Sequence, residues 1–383
     1  MSSPIKKNIT TLKKILYIAT SDIHLHTFHR PYIKWLISNG HQVDIAVENR
    51  GDNTFEGIKN KYYLDFPRSL LRKSLFKAYK ELKRIIDMGQ YDLVHCHTPI
   101  PSMLTRIAAR HARKNGTKVL YTAHGFHFYE NAPLSRWLIF YTAEFLLSNL
   151  TDGIVTINKE DYGYICNKML HKDSWYIPGI GVDSNRFKPL TMQEKASLRR
   201  FYGYNDKQFI LLYTAEFIPR KNHEFIIRAV SQIKESIPEL KVLFAGKGIL
   251  MEEMKQLSDK LNLSRTIEFL GFRTDIESLC AISDLGISAS KHEGLGLGLV
   301  EQMMCKVPVL ATVDRGHKEL IENGYNGFLF KQNDTNAFIE KLLYYYKQPV
   351  KRIEMGNNAF EKAKDFDTTN SLKAMNAVYN FYL

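Results

Sequence analysis

The sequence predicts an α/β protein made of two doubly wound parallel-sheet domains, and three observations carry that prediction. Apolar, β-branched runs alternate with amphipathic segments along the whole chain. The alternation breaks at one Pro/Gly-rich stretch, IPGIGVDSNRFKPL (177–190), and then restarts. At 383 residues the chain is too long for one comfortable core and well suited to two.

In the first series, strands are expected at 14–19 (KILYIA), 42–47 (QVDIAV), 91–96 (YDLVHC), 118–123 (KVLYTA) and 153–157 (GIVTI). After the break they are expected at 209–214 (FILLYT), 241–245 (KVLFA), 266–270 (TIEFL), 284–288 (DLGIS) and 307–312 (VPVLAT). Such runs, separated by helical crossovers, indicate parallel sheets covered on both faces. Two series joined by a short linker predict an N-terminal domain over 1–185 and a C-terminal domain over 186–365, facing one another across a cleft. Ligands of such sheets bind outside the carboxyl ends of the strands, which makes that cleft the expected site. The last segment, TTNSLKAMNAVYNFYL (368–383), lines up Leu372, Met375, Val378 and Phe381. It is expected to be a docked helix, with 366–383 crossing back to the N-terminal domain. There is no internal repeat and no low-complexity tract.

The formal net charge is +13, and it is unevenly spread. Residues 1–190 carry 27 Lys and Arg against 16 Asp and Glu, whereas the remainder carries 26 against 24. A half so basic suits a polyanion or an anionic membrane. The segment RSLLRKSLFKAYKELKRIIDM (68–88) concentrates the charge, with Leu70, Leu71, Leu75, Phe76 and Ile85 or Ile86 near helical spacing. It reads as a helix lying on anionic lipid or, more plainly, as a solvated surface helix. The four cysteines, Cys96, Cys166, Cys280 and Cys305, are widely separated and form no CxxC pair. They suit a reducing compartment and argue against a disulfide framework and a zinc site. The N-terminus lacks the pattern of a signal peptide, and WLIFYTAEFLLSNL (137–150) is short and contains Glu144, so no membrane span is expected. The expectation is a cytoplasmic protein.

The stretch SKHEGLGLGLVEQMMCKVPVLAT (290–312) sets Glu293 and Glu301 around Gly294, Gly296 and Gly298, between a strand ending near Ser288 and a helix expected from Leu299. Glycines let a backbone bend and approach a ligand closely, and a helix start offers free N–H groups, so the stretch can seat phosphate. Glu301, placed in the first helical turn, could accept paired hydrogen bonds from a ribose diol; the plainer account is that it complements the helix dipole. A nucleoside diphosphate carrying a sugar would satisfy the loop and both carboxylates. There is no GxxxxGK[ST], and the glycines run GxGxG rather than GxGxxG, which argues against P-loop and dinucleotide sites.

HEGLGLGLVEQMMCKVPVLAT, followed by ELIENGYNGFLF (319–330), resembles the signature of the retaining family 4 glycosyltransferases of GT-B fold. IPGIGVDSNRFKP (177–189) is similar to the family's interdomain Gly-Val-Asp segment, and YTAEFIPRKNHEFIIRAV (213–230) to its phosphate-binding loop. FAGKGIL and FLGFR resemble its later strand ends, while YTAHGFHFYENAP and TINKEDY are similar to the bacterial capsule and exopolysaccharide branch. The resemblance implies two Rossmann-like domains, the first binding acceptor and the second a nucleotide-sugar. It gives Lys221 the role of neutralising the departing diphosphate, Glu293 the donor sugar and Glu301 the ribose. Gly294, Leu295 and Gly296 would supply backbone contacts, Phe272 and Arg273 would hold the base, and His124 would reach the donor sugar. Where the family carries a Gly-Arg pair, this chain has Ala215-Glu216. Either Arg220 substitutes, or the lysine and helix dipole suffice.

The resemblance also implies a UDP-sugar donor, metal-independent catalysis without a cofactor, and a lipid-linked (polyprenyl diphosphate) saccharide as acceptor. Transfer of an N-acetylated or deoxy amino hexose in capsule or exopolysaccharide synthesis, at the inner face of the plasma membrane, is the leading expectation. His97, His127 and Ser21 are acceptor-side candidates. His24, His26, His29 and His95 also fall at or after strand ends, and two HxH pairs suggest a metal. In an extended segment, however, residues two apart share a face with no carboxylate or cysteine to complete a shell, so no metal is expected. A nucleotide-sugar epimerase is disfavoured by the Glu-x7-Glu spacing. A nucleic-acid-binding protein would need a basic stripe interleaved with aromatics, and none is evident. A non-catalytic sugar-nucleotide-binding scaffold remains the alternative that Glu216 raises.

Overall fold

The computed structural model describes residues 12–67, 74–130 and 132–383. The chain divides into two compact units, one made of Met1–Ile180 with Ser371–Leu383 and the other of Gly181–Asn370.

The first unit is built on seven strands: β1 (Lys14–Ser21), β2 (Gln42–Glu48), β3 (Lys61–Tyr63), β4 (Leu93–His97), β5 (Lys118–Ala123), β6 (Gly153–Thr156) and β7 (Asp173–Tyr176). They lie in the order β3-β2-β1-β4-β5-β6-β7, all parallel. The chain starts in the middle and winds outward both ways, so the switch point falls between β1 and β4. Central position explains the unbroken apolar run of β1, where Ile15 to Ala19 are fully buried. The edge strands β3 and β7 had no apolar run to announce them.

The helix Ser74–Gly89 turns Ala78, Leu82, Ile85 and Ile86 into this unit's core, leaving Phe76 exposed. Those four residues are therefore taken up by the core, while Leu75 is half-buried; Leu70 and Leu71 lie outside the described residues. Segment 137–150 forms a π-helical turn, Trp137–Tyr141, and a helix, Thr142–Ser148. Leu138, Ile139 and Leu146 are exposed there, while Glu144 pairs with the buried Arg106 at 2.8 Å. Among the described residues, no helix is long and apolar enough to cross a membrane.

From Ser371 onward the helix Thr368–Tyr382 belongs to this first unit. Its buried stripe is Ser371, Met375, Val378 and Tyr379, whereas Phe381 is exposed. The expected stripe is thus rotated, because tyrosine hydroxyls take the inward positions. Tyr379 donates to the Tyr17 hydroxyl at 3.1 Å and lies 3.0 Å from His95 Nδ1, and Tyr382 donates to Asp173 at 2.9 Å.

The second unit holds β8 (Phe209–Thr214), β9 (Leu240–Ala245), β10 (Ile267–Gly271), β11 (Leu285–Ser288), β12 (Val309–Thr312) and β13 (Gly327–Phe330). The order is β10-β9-β8-β11-β12-β13, again parallel. Phe244, Val242, Leu211 and Ile287 form the middle of its core with Phe225, Phe330 and Phe338. The loops that follow β8, β11 and β12 leave adjacent strands at their carboxyl ends.

Candidate functional site

Three strand ends of the second unit converge on Glu293. After β8 the chain makes a short turn, Pro219–Lys221, that presents Arg220 and Lys221. Asn222 then takes a left-handed conformation (φ +54°) and starts the helix His223–Ile233. The Tyr213 hydroxyl fixes this turn, donating to Lys221 O at 2.7 Å and meeting Ser290 Oγ at 3.0 Å. Lys291 N donates to Arg220 O at 2.8 Å, tying the β8 turn to the β11 loop.

Glu293 is 9% exposed and carries two cations. Lys221 Nζ donates to its Oε1, and Arg220 Nη1 donates to its Oε2 at 2.8 Å and to His292 O at 2.9 Å. Burial would raise its pKa, but the Lys221 and Arg220 charges outweigh burial and hold it at about 2. The group is ionised at any working pH, and the trio keeps one net positive charge. Glu216, at the position of the family's arginine, is exposed.

The glycine loop follows directly. Gly296 is the N-cap of the helix Leu297–Met304 and has φ +98°, a conformation that disfavours any side chain. The helix begins two residues before the expected Leu299, so Gly298 lies in its first turn and not in the loop. A Cβ there would meet Thr214 Oγ1 at 2.2 Å, so the bare residue is what lets this helix seat against the end of β8. Gly316 does the same from the β12 side, its Cα facing the Leu295 backbone. Leu295 is buried.

The earlier helix start moves Glu301 out of the first turn, which carries no acidic residue. The dipole account of Glu301 falls with that correction. Burial raises its pKa to about 7, against the pull of Arg186 and with the push of Glu277. Arg186 pairs with Glu277 at 2.7 Å and leaves Glu301 without a full counter-charge.

Phe272 follows β10 with its ring 69% exposed, and Arg273 forms a bidentate pair with Asp275 at 2.8 and 2.5 Å. Sequence reasoning missed Arg315, whose Nε donates to Glu293 O at 3.2 Å, and missed Tyr213, Ser290 and His317. The signal available was position alone, since each stands at or just after a strand end of the same sheet.

In the first unit, Ser21 Oγ caps the helix Asp22–Phe28 by accepting from His24 N at 3.3 Å. The segment holding His24 and His26 is therefore helical and not extended, and the two do not share a face. Instead His24, His29, His95, His97 and His124 come together, while His26 meets Phe55 and the exposed His127 meets Phe140. His97 is fully enclosed, with Nδ1 3.4 Å from His124 Nε2.

Two Rossmann-like parallel sheets, the second carrying this cation-and-glycine loop system at its strand ends, define a glycosyltransferase of GT-B fold. The family model for group 1 glycosyl transferases matches residues 194–362, and that for 4-like glycosyl transferases matches 14–158. The chain is 39% identical over 374 residues to EpsD of Bacillus subtilis, described as a glycosyltransferase, covering 97% of each chain. It is 30% identical over 317 residues, 81% of this chain and 79% of the other, to an Escherichia coli enzyme. That enzyme is named UDP-Gal:alpha-D-GlcNAc-diphosphoundecaprenol alpha-1,3-galactosyltransferase. The chain belongs to the family 4, group 1 glycosyltransferases. Among solved structures, Anabaena HepE, in complex with UDP and glucose, superposes with a TM-score of 0.78 at 21% identity, over 96% of this chain and 99% of that one. The lipopolysaccharide glycosyltransferase WaaG superposes at 0.75 and 17% identity, over 95% and 99%.

Proposed function

We propose that this glycosyltransferase moves a sugar from a UDP-sugar to a lipid-linked saccharide, retaining the anomeric configuration and without a metal at the diphosphate. The observation that carries the reading is the Arg220–Glu293–Lys221 trio beside the amide-rich start of the helix Leu297–Met304. Cleavage of the sugar–phosphate bond puts negative charge on the leaving oxygen, and a fixed ammonium, a guanidinium and free N–H groups stabilise it without reorganising. Glu293, held ionised, orients Lys221 and meets the sugar hydroxyls. Glu301 accepts the ribose diol, the exposed Phe272 ring offers a face to the base, and His124 is the first unit's residue for the donor sugar. Glu293, already paired to two cations, is not poised to act as a general base. Front-face attack, with the leaving phosphate taking the acceptor's proton, accords with that.

The names of relatives support the substrates: HepE binds UDP, and the Escherichia coli enzyme uses a diphosphoundecaprenol acceptor. An N-acetylated or deoxy amino hexose as the sugar, and a role in capsule or exopolysaccharide synthesis, belong to the same proposal. The basic N-terminal half and the exposed Leu134, Leu138, Ile139 and Leu146 favour approach to an anionic membrane surface. His97, His127 and Ser21 remain acceptor-side candidates. The deciding experiment is a panel of nucleotide-sugars tested for thermal stabilisation of the purified chain. One UDP-sugar is expected to raise the unfolding midpoint above UDP alone and to be turned over with a lipid-linked acceptor. Stabilisation by a different nucleotide class alone would overturn the donor assignment.

A further inference from the structure

We propose that His24, His29 and His124 form a binding site for a divalent transition-metal ion of the zinc class, separate from the diphosphate chemistry of the second unit. The three residues reach one place from different elements: His24 from the helix Asp22–Phe28, His29 from the residue that ends it, and His124 from the residue after β5. One ring nitrogen of each lies within 4.8 Å of the others. His24 Nε2 and His29 Nε2 are 3.3 Å apart. Two ligands about 2.05 Å from a tetrahedral zinc ion are themselves about 3.3 Å apart, so this edge of the polyhedron already has the right length. His124, half-buried after β5, offers the third ring nitrogen within that same 4.8 Å.

The surroundings are those of a ligand set. His29 turns its other nitrogen, Nδ1, to the Tyr17 hydroxyl at 3.4 Å, which leaves Nε2 facing His24. Tyr17 is held by Tyr379, and Tyr379 meets His95 Nδ1, so a chain of buried hydroxyls fixes the ring. Partners of this kind set the tautomer of a metal-bound histidine. His97 stacks on Tyr17 with centroids 4.7 Å apart and leaves its Nε2 buried and without a partner, an orphan that a nearby charge or ligand would explain. Three imidazoles without cysteine suit zinc, cobalt or nickel and leave a fourth position open to an oxygen ligand such as a phosphate or a hydroxyl.

This inference goes beyond the proposed function, which routes no step through a metal. The test uses no nucleotide-sugar, so it stands or falls apart from the donor assignment. The full chain, stripped with a chelator, is titrated with Co2+ and followed by visible absorption, then back-titrated with Zn2+. One tetrahedral Co2+ band per chain is expected, displaced by Zn2+, together with a higher unfolding midpoint in Zn2+. His24→Gln is expected to weaken binding at least ~10-fold, no less than loss of an outer partner does elsewhere. His111→Gln, an exposed histidine in the same unit, is expected to bind as the parent does. Circular dichroism establishes that His24→Gln is folded, and the parent's stoichiometry decides even if it is not. Absence of any Co2+ band or Zn2+ shift at equimolar metal would overturn the site. So would unchanged binding in folded His24→Gln and His29→Gln.

Discussion

At the scale of single residues, Lys221 and Glu301 are the sharpest points of the proposed site. Lys221→Ala removes one preorganised cation from the leaving group, and turnover is expected to fall at least ~100-fold while UDP still stabilises the chain. Steady-state rates with a saturating donor check this, and near-normal turnover would contradict the role. For Glu301 the direction of the pKa shift fixes the sign. Its folded value is raised to about 7 from 4.5, so the folded state holds a proton that the unfolded chain releases. The resulting stabilisation is complete below about pH 4.5 and is lost as pH climbs to 7. Glu301→Gln is therefore expected to raise the unfolding midpoint at pH 8 and to leave it unchanged near pH 4. The same variant should lose UDP affinity, because an ionised carboxylate accepts two hydroxyls better than an amide does. In the parent, that affinity should rise about tenfold from pH 6 to 8, as deprotonation ceases to oppose binding. Calorimetry at both pH values decides; a flat profile would remove Glu301 from the nucleotide site. Lys221 and Glu293, which the structure brings into contact, could be singled out because each lies in a motif visible in the sequence. Arg315 and Tyr213 could not, because only the folded sheet brings their strand ends beside Glu293.

Among the elements, the helix Leu297–Met304 is placed by what is missing from it. Gly298 has ordinary helical backbone, so its demand for no side chain is purely steric and comes from Thr214. Gly298→Ala is expected to cost about 1–3 kcal/mol, as overpacking does. Adding Thr214→Ala should recover most of the loss, since the hydroxyl is the nearest obstacle. Denaturant midpoints of the two single variants and the double variant measure the coupling, and simple additivity would argue against this packing. Of the ten expected strands nine are interior, and only β10 is an edge. β3, β7 and β13 were not expected, and all three are edges of three or four residues with one neighbour each. An edge strand buries less, so its sequence is less constrained toward Val and Ile. The histidine cluster escaped for a related reason: reading 22–28 as extended paired His24 with His26, whereas a helical turn pairs His24 with His29.

For the whole molecule, the main fact is that the first unit is discontinuous in sequence. A chain ending at Asn370 would lack Met375, Val378 and Tyr379, all fully enclosed in that unit, and Tyr17 and His95 would lose a hydroxyl partner. Such a chain is expected to keep UDP binding, because Lys221, Glu293 and Glu301 all lie in Gly181–Asn370. Its first unit should become sensitive to protease. Limited proteolysis followed by mass spectrometry, with UDP calorimetry in parallel, tests both halves of this statement. Loss of UDP binding together with the protease resistance would mean that the second unit does not stand by itself.

Synthesis on the ribosome gives this arrangement a direction in time. Gly181–Asn370 is synthesised before Ser371–Leu383, so the first unit, begun first, is the last to receive all its residues. Until those residues are added, Tyr17 and His95 lack the hydroxyl of Tyr379.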